Sequence, residues 1–245
     1  METLEEIIRT VPAAKQASRY ERMLDASSGA PRLLFIGNSV TWHGPKKDIG
    51  WTGDWGMAAS SAGKDYAHLV LSAVRVRWPE ASGMILQGAT WERNLAIDCA
   101  QEFPGARDYR ADAIVFTLCA NTPAEGFDSE AFVAGMERLI GYAAGAGERP
   151  IVLAATDFFG DKNKSAAIEA YAKKHAAALI PLMDLGARAE NRALGLFAHE
   201  GVANHPGDAG MRAIADRILE KLLPALEARM AVSYTHLTLP TTMLV

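Results

Sequence analysis

The sequence predicts an α/β protein, a three-layer α/β/α sandwich on a parallel sheet, and three observations carry that prediction. Five short runs are apolar throughout rather than alternating, the pattern of strands covered on both faces. Stretches of helical length separate most of them, and strands joined by helical crossovers lie parallel in one sheet. No internal repeat or low-complexity tract interrupts the order, and 245 residues suit one large domain.

In chain order, residues 3–25 read as a helix, acidic at its start and kinked or broken at Pro12. It forms an N-terminal extension (1–31) that covers a sheet face or mediates self-association, with 26–31 as a linker. The first strand is RLLFIG (32–37), followed by a Trp- and Gly-rich loop (42–56) and a helix over about 57–76. GMILQ (83–87), DAIVFTLC (112–119), PIVLAAT (150–156) and ALIPLMDL (178–185) are the remaining strands. Helices at about 128–146 and 164–177 separate the later ones. A final helix follows His205-Pro206, with Met211, Ile214, Ile218, Leu222 and Leu226 on one face and Pro206 suited to its first position. The main domain is therefore 32–230. Residues 231–245 contain no Asp, Glu, Lys or Arg, and Val232 to Leu237 resembles one reading frame of a transposase-type sequencing adapter. That tail is expected to be a non-native read-through segment rather than a C-terminal strand, which removes His236 from the candidate residues.

Composition narrows the partners. The net charge is −4 with a pI near 5.9 and no block of basic residues, which argues against nucleic acid or an anionic membrane. Cys99 and Cys119 are too few for a disulfide framework, and the acidic N-terminus lacks the layout of a signal peptide. No window reaches the length of a spanning helix. The expectation is a cytoplasmic protein acting on a small molecule, without membrane or nucleic-acid partners. No pair of histidines or carboxylates has convincing ligand spacing, so neither metal nor other cofactor is expected.

In parallel sheets, ligands bind beyond the carboxyl ends of the strands. The first strand runs into Gly37-Asn38-Ser39, the second into Gly88-Ala89-Thr90, the third into Cys119-Ala120-Asn121, and past the fifth lies Asn204-His205-Pro206. Singly, these residues read as caps and turns. Together they place a serine, a glycine, an asparagine and a histidine on one rim, the set that acyl transfer requires. Serine is a weak nucleophile until a base takes its proton, and neutral histidine does so near pH 7. The oxyanion of the tetrahedral intermediate needs fixed donors, which the backbone N–H groups of Ser39 and Gly88 and the Asn121 amide would supply.

These four blocks resemble those of the SGNH hydrolases, the GDSL esterase/lipase superfamily. Gly37-Asn38-Ser39 is similar to its Gly-Asp-Ser, Gly88-Ala89-Thr90 to its Gly-Asp-Thr, Cys119-Ala120-Asn121 to its Gly-x-Asn, and His205-Pro206 to the end of its Asp-x-x-His-Pro. The resemblance spans about 32–229 and implies a flavodoxin-like five-stranded sheet in the order 2-1-3-4-5. It implies Ser39 as nucleophile, His205 as base, and Gly88 and Asn121 as oxyanion donors. Three departures stand out: Asn38 replaces Asp, Cys119 replaces Gly, and the position of the triad acid is Val202. In place of that acid the sequence offers Glu200, Asp208 or a backbone carbonyl near Val202. A Ser–His dyad on the carbonyl is preferred, with Glu200 second, because an acid at 208 is accounted for by the dipole of the final helix.

Trp42, Trp51, Trp55 and Trp91 cluster near the first two blocks, suited either to stacking on a sugar ring or to a lid packed on itself. Trp42, His43 and Trp91 are the candidate substrate contacts. His68 and His175 read as structural, and His199 lies near the site but outside the blocks. The expected function is a serine esterase that removes a short acyl group, acetyl by preference, from a carbohydrate through an acyl-enzyme. The alternatives are a lipase or thioesterase of the same fold, or a non-catalytic phosphate- or small-molecule-binding module.

Overall fold

The computed structural model describes residues 20–237, with side chains through residue 231. Six strands form one sheet: β1 (Glu21–Met23), β2 (Gly29–Gly37), β3 (Ala81–Gln87), β4 (Ala113–Phe116), β5 (Ile151–Ala155) and β6 (Ala178–Ile180). Their order is β1-β3-β2-β4-β5-β6. The five parallel strands β3-β2-β4-β5-β6 reproduce the expected 2-1-3-4-5 order, and β1 adds an antiparallel edge on β3.

The continuous apolar runs fold as doubly covered strands. Leu33, Phe35, Ile85 and Val115 pack on one face beneath α1 (Tyr66–Arg75) and α9 (Asp208–Leu237). Leu34, Ile36, Leu86, Ile114 and Phe116 face the other layer. That layer holds α2 (Ala89–Arg93), α4 (Pro104–Asp108), α5 (Ser129–Ala144) and α6 (Lys162–His175), with the short α3 (Cys99–Glu102) beside them. The residues Leu33, Leu34, Phe35 and Ile36 have no exposed surface. Burial of each such side chain contributes about 1.5–3 kcal/mol, which makes β2 the firmest anchor for the loop it carries. The predicted apolar stripe of α9, from Met211 to Leu226, is buried throughout.

Several expectations need correction. Residues 21–23 form β1 instead of the end of a helix, because pairing with β3 outweighs weak local propensity. Residues 3–19 of the expected N-terminal helix lie outside the described residues. The helix expected from residue 57 begins at Tyr66, where the Asp65 carboxylate caps the His68 N–H. The strand expected over 178–185 ends at Ile180, and Met183–Gly186 forms the single helical turn α7. α9 starts at Asp208, so Pro206 lies before it and bridges to Arg192 instead of opening the helix. Residues 231–237 continue α9, and 238–245 lie outside the described residues.

Register fixes where the site forms. Gly37 pairs with Gln87 and Ile36 with Phe116, so β2, β3 and β4 release their following loops at one rim.

Candidate active site

The chain leaves β2 through a tight turn in which Asn38 accepts, on its carbonyl, the N–H groups of Thr41 and Trp42, both at 2.9 Å. A Cβ on Gly37 would collide with the Thr41 and Thr117 hydroxyls, so only glycine fits beneath the turn. Thr41 in turn bonds Tyr66 at 2.7 Å, which fixes the floor of the loop. Ser39 stands at the apex, and its carbonyl accepts the Met57 N–H at 2.8 Å, tying the Trp-rich loop back to it.

The Ser39 Oγ lies 2.7 Å from the His205 Nε2. The other ring nitrogen, Nδ1, lies 2.7 Å from the carbonyl oxygen of Gly201. A carbonyl only accepts, so Nδ1 carries the proton and Nε2 presents a lone pair to the serine hydroxyl. Gly201 belongs to the short helix α8 (Glu200–Ala203), and the Phe159 ring meets the imidazole edge-to-face at 5.5 Å. Desolvation pushes His205 from its ordinary 6.5 down to about 4, outweighing the opposing Gly201 bond, with nearby His43 adding to the fall.

Among the described residues, no carboxylate hydrogen-bonds to His205. Glu200 does not complete a triad: its side chain is exposed, and its neighbour's carbonyl already holds Nδ1. Asp208 instead accepts from the Ser60 N–H at 2.8 Å and the Ser60 hydroxyl at 2.7 Å. Val202, at the position of the absent acid, packs in a small cluster with Trp51, Met57, Ala58 and Ala193.

Asn121 lines the same cleft as Ser39 and His205, and the Ser39 N–H makes no hydrogen bond among the described residues. Gly88 departs from its expected role. Its N–H donates to the Gly37 carbonyl at 2.7 Å, because the β2–β3 ladder continues one residue past the strand ends. A Cβ there would lie 2.5 Å from the Leu118 side chain, so this glycine serves packing. The neighbouring Ala89 N–H is held by the Gln87 Oε1 at 2.9 Å.

Sequence reasoning missed Glu92. It is 1% exposed, and its carboxylate accepts the Asn38 Nδ2 at 3.0 Å, the Asn121 N–H at 3.2 Å and the Asn121 Nδ2 at 2.5 Å. Desolvation raises its pKa, opposed by these donors. Cys119 is buried beside Asp157, Sγ to Oδ1 3.5 Å, and burial pushes its thiol well up.

The cleft around Ser39 has a volume of about 320 Å³ and includes His43, Met57, Gln87, Arg93 and His199. A second lobe of about 370 Å³ shares His43, Gln87, Ala89 and Arg93 with it and adds Tyr20, Trp42 and Thr90. His43 lines both lobes and Trp42 only the second, while His199, outside every motif, lines the first. Trp91 lines neither. It has no exposed surface and packs on Phe116 and Phe132, because α2 turns that side chain under the sheet. Trp51 and Trp55 pack edge-to-face at 5.8 Å, and Trp51 also meets Phe197, so that part of the loop packs on itself.

The fold is a parallel α/β/α sandwich with a serine and a histidine brought together at the strand ends, and solved esterases and lipases share that fold. Among solved structures, the fold is similar to the psychrotrophic esterase EstA from Pseudoalteromonas sp. at a TM-score of 0.53, with 10% identity over 80% of this chain and 99% of that one. It is also similar to Axe2, an acetyl xylan esterase from Geobacillus stearothermophilus, at 0.50, with 16% identity over 78% and 94%. A third is a two-domain esterase active on acetylated mannans, at 0.51 with 18% identity; 81% of this chain matches 54% of that protein, so the likeness spans about half of it. No family model matches the chain, and no curated protein matches it.

Proposed function

We propose that the protein is a serine esterase that removes a short acyl group, acetyl by preference, from a carbohydrate. The observation that carries this reading is the 2.7 Å contact between the Ser39 Oγ and the His205 Nε2, with Nδ1 held by a carbonyl in the tautomer that makes Nε2 a base. Ser39 attacks the ester carbonyl carbon as its proton passes to Nε2. The tetrahedral oxyanion is met by the Ser39 N–H and the Asn121 amide. Nε2–H then protonates the leaving alcohol oxygen as the C–O bond breaks. Water, deprotonated by Nε2, releases the acyl group from Ser39. The Gly201 carbonyl holds the ring in place of a triad acid, a dyad variant of the Ser-His-Asp arrangement.

Acetyl and carbohydrate are favoured by the modest Ser39 lobe joined to a second lobe with Trp42 and Tyr20, and by similar folds acting on acetylated xylan and mannan. The test is hydrolysis of a chromogenic acetate ester and of acetylated xylo-oligosaccharides by wild type, Ser39→Ala and His205→Ala. Activity lost in both variants is expected; full activity in Ser39→Ala rules the reading out.

A further inference from the structure

We propose that Glu92 is a positioning residue that holds the nucleophile turn and the Asn121 loop in register, and that its presence is why position 38 carries asparagine. The proposal rests on the esterase reading for its kinetic consequences but not for its structural ones. Glu92 follows β3 in α2, Asn38 follows β2, and Asn121 follows β4, so one buried carboxylate joins the three strand-end loops that build the site.

The donor–acceptor pattern leaves little freedom. The Asn38 and Asn121 groups that meet the Glu92 carboxylate are all N–H donors, and a carboxylate only accepts. Among the described residues, no Lys, Arg or His forms an ion pair with it, so amides alone compensate its charge. Asn38 meets the turn on both sides: its Nδ2 donates to Glu92, while its Oδ1 accepts the Val40 N–H at 3.2 Å. Aspartate at this position keeps the second bond, loses the first, and sets two carboxylates face to face at 3.0 Å in a buried site. Asn38 and Glu92 are therefore a matched pair. On the other side, Glu92 engages one hydrogen of the Asn121 amide and fixes that amide's plane, leaving its second hydrogen for the cleft.

The test is a four-protein cycle: wild type, N38D, E92Q and N38D/E92Q, each measured for kcat and KM on an acetate ester and for Tm. In the wild-type background, E92Q is expected to lower kcat roughly tenfold to hundredfold with KM little changed, since a misaligned oxyanion donor acts on the transition state. In the N38D background the same change is expected to raise both kcat and Tm. There it removes one of two opposed carboxylates and supplies a donor to the other. If E92Q lowers kcat and Tm in both backgrounds, or changes neither, the proposal is overturned. Should E92Q alone not fold, N38D/E92Q decides: a folded double variant supports the pairing and an unfolded one overturns it. Should wild type lack esterase activity, the functional reading falls, and the opposite signs in Tm still test the pair.

Discussion

The Nδ1 of His205 lies 2.7 Å from the carbonyl oxygen of Gly201, four residues earlier in the same chain. A backbone dipole therefore stands where a catalytic histidine is commonly held by a carboxylate. It selects the tautomer as an acid would, but it brings no full negative charge to favour the imidazolium. Desolvation is then unopposed by a counter-ion, and His205 stays neutral far into the acid range.

That neutrality sets the pH dependence. In the proposed mechanism His205 serves as base only when unprotonated, so activity is expected to fall as pH drops through its pKa. With that pKa lowered from 6.5 to about 4, kcat/KM is expected to hold across neutral and mildly acidic pH and to fall by half near pH 4. A pH–rate profile checks this; an acid limb near 6.5 would show that the imidazole is not desolvated as described.

Asn121 and Gly88 separate catalysis from packing. Asn121→Ala removes the proposed oxyanion donor and is expected to lower kcat by roughly 10²–10³-fold. Gly88→Ala drives a methyl group against Leu118 while leaving the Ser39 and Asn121 donors in place, so the expected effect is a loss of about 1–3 kcal/mol of stability. Its folded fraction should retain most of its kcat. Denaturant titration alongside active-site-normalised kinetics distinguishes the two, and a large kcat loss in folded Gly88→Ala would return this glycine to the oxyanion hole.

The tryptophans divide in the same way. Trp91→Ala empties a fully buried site and is expected to cost about 3–5 kcal/mol. Trp42→Phe removes the Nε1 bond to the Asp54 carboxylate at the edge of the second lobe. It is expected to raise KM for acetylated oligosaccharides more than for a small aryl acetate. Equal changes on both substrates would place the sugar elsewhere.

The tail is addressed by truncation. Among the residues of α9 with described side chains, Leu226 is the last that is fully buried, and Arg229 reaches Asp112 and Glu148. A chain ending at Met230 keeps those contacts and is expected to match the full chain in Tm; a clear drop would give residues 231–245 a structural role.

What the sequence discloses follows from how local each signal is. Ser39, Asn121 and His205 stand directly after apolar strands or before the final helix, where position alone marks the rim. Glu92 is not legible, because a glutamate between Trp91 and Arg93 on a short helix reads as solvated, and only the fold turns it beneath Asn38. Trp91 misleads for the same reason: proximity to Thr90 in sequence does not reveal which way α2 rotates. The role of Gly88 turns on a single ladder bond to Gly37, which depends on register between strands. Residues 57–65 include Ala58, Ala59 and Ala62, good helix formers, so the start of α1 reads too early. Strand β1 depends on a partner strand about sixty residues away, and no local pattern announces it.

The proposed function makes Ser39 a nucleophile activated by His205. Its most direct test is covalent labelling with a serine-directed fluorophosphonate, followed by peptide mass mapping. Wild type is expected to carry one adduct per chain on Ser39, with much slower labelling in His205→Ala and none in Ser39→Ala. An unlabelled wild type, or equal labelling of Ser39→Ala, would contradict that function.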